Sequence, residues 1–411
     1  MTNGSNVETR WRLTLLCAAV AALAAGCGGG GGAGESAEPT SAATSNAGAT
    51  AGSSQPAAAT GTSSATGTAG ATTGTTTAGS TAGTPAAAGT VTTPGTAQGA
   101  VITDEGLSIL GANRWTENPQ VFYDDVRGGF EAVGAALGAE VGIDAKSPWG
   151  SRSKAGLRFR YEQGTTRSGD TGLIYRANGY HTVLGSPRYS GTGKVYDRMY
   201  VSWWYKPSIH PNSQGASNKF IRLWDEGNGY GTRISWTQMH MTCDVPAGYK
   251  PEVSWRSWGG NVAQWNRHEI EASLDQPIVR TWVNGVAGHV HPCVKDPKQS
   301  ARPMYLYVLG FDHGGNADGT NSYLDMVTEM ADIYIANSPA RVELSDSPTW
   351  SAAQRRELQP VRAWAPGRID LKYVRGTLPK GAQLYAYVVN ADGSVAEAGQ
   401  PVSCRTKAGV C

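Results

Sequence analysis

An all-β sandwich is the fold class that this sequence predicts, and three observations predict it. From Val101 onward the chain reads as short strands with alternating faces, separated by Gly, Pro, Asn and Asp clusters. No long helical period stands out; the one modest helical candidate surrounds Phe130 to Leu137. The 13 Trp and 17 Tyr supply enough bulk for a sizeable core. Many strands without helices must bury their apolar faces against each other, as a sandwich or barrel.

The N-terminal quarter is different. Arg10 and Arg12 precede an apolar run from Leu13 to Leu23 that is too short to cross a bilayer. The run ends in Leu23-Ala24-Ala25-Gly26-Cys27, which resembles the bacterial lipobox. In that reading residues 1–26 are a signal peptide, and Cys27 becomes the lipidated N-terminus. The expected location is the outer membrane or cell surface. Residues 27–100 are dominated by Gly, Ala, Ser and Thr. Such a segment has too little apolar bulk to offset the entropy of ordering, so it is expected to be a tether.

The remainder divides at about Pro339. Residues 101–338 form the expected main domain, and 339–411 a small β module with strands at Ile369 to Val374 and Leu384 to Val389. Hairpin signals occur at Asn228-Gly229, Asn284-Gly285 and Asp392-Gly393. A formal net charge of +2 argues against a dedicated nucleic-acid protein. Four cysteines follow the export segment: Cys243, Cys293, Cys404 and Cys411. They allow three pairings. Keeping each loop inside one module favours Cys243–Cys293 and Cys404–Cys411.

Alternation sorts side chains onto faces. Ile221 and Leu223 share one face, and Phe220, Arg222 and Trp224 the other. Trp236, Gln238 and His240 are expected together on one strand running from Arg233 to Cys243. Arg267, Glu269 and Glu271 oppose Ile270, Ala272 and Leu274. Arg280 and Trp282 share a side. Trp, Arg, Glu, Gln and His thus collect on the second faces. Aromatic rings beside planar hydrogen-bonding groups suit sugars, which are apolar over the ring and polar at the edge. Trp224, Trp236, Trp282 and Arg280 are accordingly the expected substrate-binding residues, and a polysaccharide the expected partner.

The segments Y-V-S-W-W-Y-K-P (Tyr200 to Pro207), N-K-F-I-R-L-W (Asn218 to Trp224), W-N-R-H-E-I-E (Trp265 to Glu271), T-W-V-N-G (Thr281 to Gly285) and A-D-I-Y-I (Ala331 to Ile335) resemble successive strands of concanavalin A-like lectin/glucanase jelly rolls. The resemblance covers roughly Phe122 to Ala336. That superfamily contains binders, glycosidases and polysaccharide lyases, so it implies the fold more than the activity.

Gln238-Met239-His240 is similar to the Gln-x-His of jelly-roll alginate lyases. That likeness implies a carboxylate partner in Gln238 and a proton-transferring group in His240. Uronate elimination also needs a cation at the carboxylate, for which Arg222, Arg267 and Arg280 are candidates. The arginine-rich strand and the tyrosine-rich strand of those lyases are not found here. Glu269 and Glu271 offer an alternative, the paired carboxylates of a retaining glycosidase, although the aspartate expected between them is missing. Asp312, Asn316 and Asp318 place oxygens at spaced positions in a Gly-rich loop that could hold calcium; no cofactor is otherwise required. His289 and His291 near Cys293 lack further metal ligands. A third class of function is a non-catalytic adhesive lipoprotein whose aromatic face meets another protein.

Overall fold

The computed structural model describes residues 99–111, 117, 119–152, 156–188, 198–214, 218–224, 231–244, 253–293, 304–313 and 322–411. The signal segment, the tether, Cys27 and the Asn228-Gly229 turn lie outside these residues. The described chain is a jelly-roll sandwich of two antiparallel sheets, with a third sheet built from both ends of the described chain.

The seven-stranded front sheet runs in the order Val253–Trp255, His240–Asp244, Arg233–Thr237, Lys219–Trp224, Tyr305–Asp312, His181–Pro187, Trp149–Ser151. The back sheet runs Val286–Pro292, Ile278–Val283, Asn266–Ser273, Arg198–Pro207, Val327–Ala336, Thr171–Asn178, Arg160–Thr165, with Val121–Asp124 also paired to Val327–Ala336. Asn284 and Gly285, at φ 52° and 77°, make the tight turn between Ile278–Val283 and Val286–Pro292. Two successive positive φ values match the right-handed strand twist, which is why Asn-Gly serves there. The helix expected near Phe130 spans Arg127–Val133.

Between the sheets lies an aromatic core. Trp203, Trp236, Phe220 and Tyr205 surround His268, which is fully buried. Burial pushes the His268 imidazole down to about 3, so it stays neutral, and its Nε2 accepts a hydrogen bond from Trp258 Nε1 at 2.8 Å. A second buried point is Asp124, which accepts from Tyr175 Oη at 2.6 Å, Trp149 Nε1 at 2.5 Å and the Val126 amide at 2.8 Å.

Both expected disulfides form. Cys243–Cys293 links the front-sheet strand His240–Asp244 to the end of the back-sheet strand Val286–Pro292. It closes a loop with a sequence separation of 50, worth about 4 kcal/mol in the chain-entropy picture. Cys404–Cys411 closes the C-terminus.

One boundary differs from the sequence reading. Residues 101–110, expected in the main domain, belong to the third sheet. That sheet has the order Arg356–Gln359, Arg341–Ser345, Tyr385–Val389, Gln400–Cys404, Gly99–Thr103, Gly106–Leu110, Arg368–Leu371, Val361–Ala365. Ile102, Leu107 and Ile109 pack with Val342, Leu344, Trp364, Ile369 and Leu371 in a separate core. Strand pairing between residues such as Ala100 and Val402, or Leu107 and Leu371, leaves no local signal.

The outer face of the back sheet is covered where charged groups meet the third sheet. Arg267 grips Glu343 bidentately at 3.0 and 3.2 Å and reaches Glu269 at 3.0 Å. Tyr200 donates to Glu269 at 2.6 Å, and Arg341 Nε meets Glu343 at 2.6 Å. Arg167 bridges Asp332 and Glu357. Glu343 and Glu357 are each only 1% exposed. Burial opposes ionisation of Glu343, but Arg267, Arg341 and Arg356 outweigh it and hold the carboxyl well below its usual range.

Glu343→Gln is therefore expected to cost about 3–5 kcal/mol in urea unfolding, because it strands buried guanidinium groups. A depressed folded-state pKa contributes stability that is present above the unfolded value, about 4.3, and is lost as pH falls toward the folded one. Thermal melts from neutral pH down to about pH 3 should fall more steeply in the native protein than in Glu343→Gln.

Candidate functional site

The front sheet leaves its outer face uncovered by the third sheet. Strand Lys219–Trp224 sends Ile221 and Leu223 into the core, so Arg222 and Trp224 point outward. Register places Trp224 opposite Arg233 on one neighbour and Tyr305 on the other. Arg222 lies opposite Ser235. Lys219 lies opposite Asp312, which lies opposite His181.

These neighbours interlock. The Trp224 and Tyr307 rings stack at 3.8 Å between centroids and 8° between planes. Arg233 covers Trp224 at 5.0 Å from the neighbouring strand, and Arg152 covers Tyr307 at 4.4 Å. The stacked pair thus has a guanidinium beside each of its rings. Stacking fixes the guanidinium plane while leaving N–H donors at its edge.

Beside the stack is an ionic cluster. Asp312 pairs with His181 Nδ1 at 2.7 Å and with Arg222 at 3.6 Å. His181 Nε2 lies 3.0 Å from the Arg152 carbonyl, which can only accept, so Nε2 carries a proton. Burial works against the Asp312 carboxylate, but the His181 hydrogen bond and the charges of Arg222, His181 and Lys219 pull its pKa below the usual range. The imidazole is thus held on both sides, by the Asp312 carboxylate at Nδ1 and by the Arg152 carbonyl at Nε2. At the far edge of the sheet His240 pairs with Trp255, their rings 4.8 Å apart.

The expected groove residues are split among three places. Arg222, Trp224 and His240 share the outer front face. Trp236 is buried in the core, 3% exposed and opposite Ile221. The segment expected as one strand is a hairpin: Thr237 Oγ1 accepts from the Met239 and His240 amides at 3.2 and 2.8 Å and reverses the chain. Gln238 sits in that reversal, 1% exposed, its Oε1 taken by the Asn218 amide at 2.8 Å. It fixes a loop and does not face the groove. Phe220 is also core, because the register shift between Trp236 and Thr237 breaks the alternation.

Arg267, Glu269, Glu271, Arg280 and Trp282 all belong to the back sheet. Arg267 and Glu269 are buried beneath the third sheet, and Glu271 pairs with Arg280 at 3.1 Å. Trp282 lies half-buried opposite Glu269. Glu269 lines a small pocket with Arg267, Trp204, Asn284 and Arg356, whereas the Glu271 carboxylate is paired with Arg280. Asp312 is occupied by His181 and Arg222, while Asn316 and Asp318 lie outside the described residues. Among the described residues no group of three or more His, Cys, Asp or Glu side chains is placed to hold a metal.

Sequence reasoning missed His181, Arg233, Arg152, Tyr305, Tyr307 and Trp255. The Tyr-Leu-Tyr alternation at 305–307 and the Val-Ser-Trp alternation at 253–255 carry the signal. Neither marks which sheet it joins.

No protein-family profile matches the chain, and no curated protein matches it in sequence. Solved structures do resemble it. The protein "Cellulose induced protein, Cip1" is 18% identical, covering 53% of this chain and 97% of its own, with a TM-score of 0.34. The marine PL-14 alginate lyase from Aplysia kurodai is 10% identical, covering 43% and 86%, at 0.31. The alginate lyase AlgAT5 of polysaccharide lyase family 7 is 12% identical, covering 42% and 81%, at 0.29. These are similarities alone; the sandwich itself rests on the strand pairing above.

Removing the acid at the centre of the cluster should expose its role. Asp312→Ala leaves His181, Arg222 and Lys219 facing one another, and a loss of about 1–3 kcal/mol is expected in urea denaturation. An Asp312→Asn variant keeps a hydrogen-bond acceptor and should lose less.

Proposed function

We propose that the outer face of the front sheet binds an acidic polysaccharide, on an exported protein held to a membrane by lipid on Cys27. The observation that carries the reading is the stacked array of Arg233, Trp224, Tyr307 and Arg152 beside Arg222. Guanidinium groups bind carboxylates bidentately, and pre-oriented ones lose less freedom on binding. A cationic face spread over several strands suits an extended anionic chain better than a compact ligand.

β-Elimination is a second reading, favoured by His240 lying on the same face as Arg222. In it a guanidinium steadies the uronate carboxylate as charge builds, and His240 takes the α-proton. The bond to the leaving glycosidic oxygen breaks, a carbon–carbon double bond forms, and the departing oxygen is protonated. The residues retained from the sequence reading are Arg222 and His240; Gln238 and Arg267 drop out, as both are buried in structural bonds.

A glycan array and a degradation screen with purified protein test both. Binding should favour polyuronates over neutral glycans and should weaken as salt rises. Arg222→Gln should weaken binding by about tenfold or more, the loss of one charge-assisted contact. Glu271→Gln should leave binding unchanged. Failure of the native protein to bind any acidic glycan rejects the reading. Rising ultraviolet absorbance from unsaturated uronate, lost in His240→Ala while binding persists, would establish elimination.

The anchor is tested separately. Cys27→Ser should move the protein from the membrane fraction to the soluble fraction. Continued sedimentation with membranes would rule out lipidation as the attachment.

A further inference from the structure

We propose that Trp255 is the platform on which a pyranose ring of the acidic glycan stacks, at the end of the face remote from the arginine stack. The inference rests on the binding reading above and names where the apolar side of the sugar goes.

Sugar rings need an open aromatic face, and Trp224 and Tyr307 already spend one face on each other. Each also has a guanidinium close to its ring, at 5.0 Å for Trp224 and 4.4 Å for Tyr307. Trp255 is the opposite case. It is 64% exposed, a large departure for a residue that is highly buried on average. It lies on the edge strand Val253–Trp255, opposite His240, whose ring is tilted by 50° against it at 4.8 Å. Alternation puts Trp255 on the same side as His240, while Ser254 turns inward and bonds His289 Nδ1 at 2.9 Å. The corner is also stiff, because Cys243 on the adjoining strand is bonded to Cys293. An exposed indole beside an imidazole and a cationic face offers an apolar surface and polar neighbours at once.

The sheet sets the reach. Across the sheet Trp255 is two strand spacings from the strand bearing Arg233 and four from the strand bearing Tyr305 and Tyr307, roughly 10 and 19 Å at about 4.8 Å each. One saccharide chain must be several units long to touch both ends. The geometry therefore links the contribution of Trp255 to chain length.

Binding of alginate oligosaccharides from disaccharide to octasaccharide is the test, read by calorimetry on native protein, Trp255→Ala and Trp255→Phe. Octasaccharide affinity should fall by on the order of tenfold in Trp255→Ala and largely recover in Trp255→Phe. Disaccharide affinity, supplied at the arginine stack, should not change. Octasaccharide should also shift the indole emission of the native protein and not of Trp255→Phe by the same amount. Equal binding of the octasaccharide by native protein and Trp255→Ala overturns this inference and leaves the binding reading standing. Equal losses for disaccharide and octasaccharide also overturn it, since they mark a disturbed fold. If native protein binds no oligosaccharide and no acidic polymer, both fall together.

Discussion

The buried guanidinium–carboxylate network between the back sheet and the third sheet is the constraint on which the rest of this structure depends. Arg267 and Arg341 hold Glu343, with Arg356 alongside, and Arg167 holds Asp332 and Glu357. Charges taken out of water persist only when fully paired, so these groups commit the two sheets to one relative placement. That placement closes part of the back sheet. The outer front face is left as the place where charged and aromatic side chains meet solvent.

The front face is organised by the same chemistry at a lower degree of burial. Asp312 joins His181 and Arg222, and two arginines cap an aromatic pair. A planar guanidinium carries its donors along its edge, the geometry that suits a carboxylate. Cationic groups gather here although the whole chain carries a formal charge of only +2. Net charge averages over the chain; the sheet register concentrates it.

The sequence reading of the site went wrong where chain reversal and bulging broke the alternation. Trp236, Gln238 and His240 sit at spacing two, yet one points into the core, one fills a turn and one lies half-buried against Trp255. Thr237, through its hydroxyl, makes the reversal that separates them. Arg267 and Glu269 were assigned correctly to the face opposite Ile270. That face was expected to be a groove, and residues about 75 positions later in the chain cover it.

The features legible before folding are local or compositional. Short alternating runs set the all-β class, Asn284-Gly285 set a hairpin turn, and keeping each loop inside one module favoured the two disulfides that form. Alternation also separated Arg222 and Trp224 from Ile221 and Leu223. Tertiary structure alone decided which strands share a sheet and which faces become covered. It made Arg267 and Glu269 structural and left Trp255 exposed. It also brought residues 99–110 to the C-terminal strands and set Asp312 against His181. The physical reason is range. Alternation and turn chemistry act over a few residues, whereas strand pairing and charge burial join segments hundreds of residues apart.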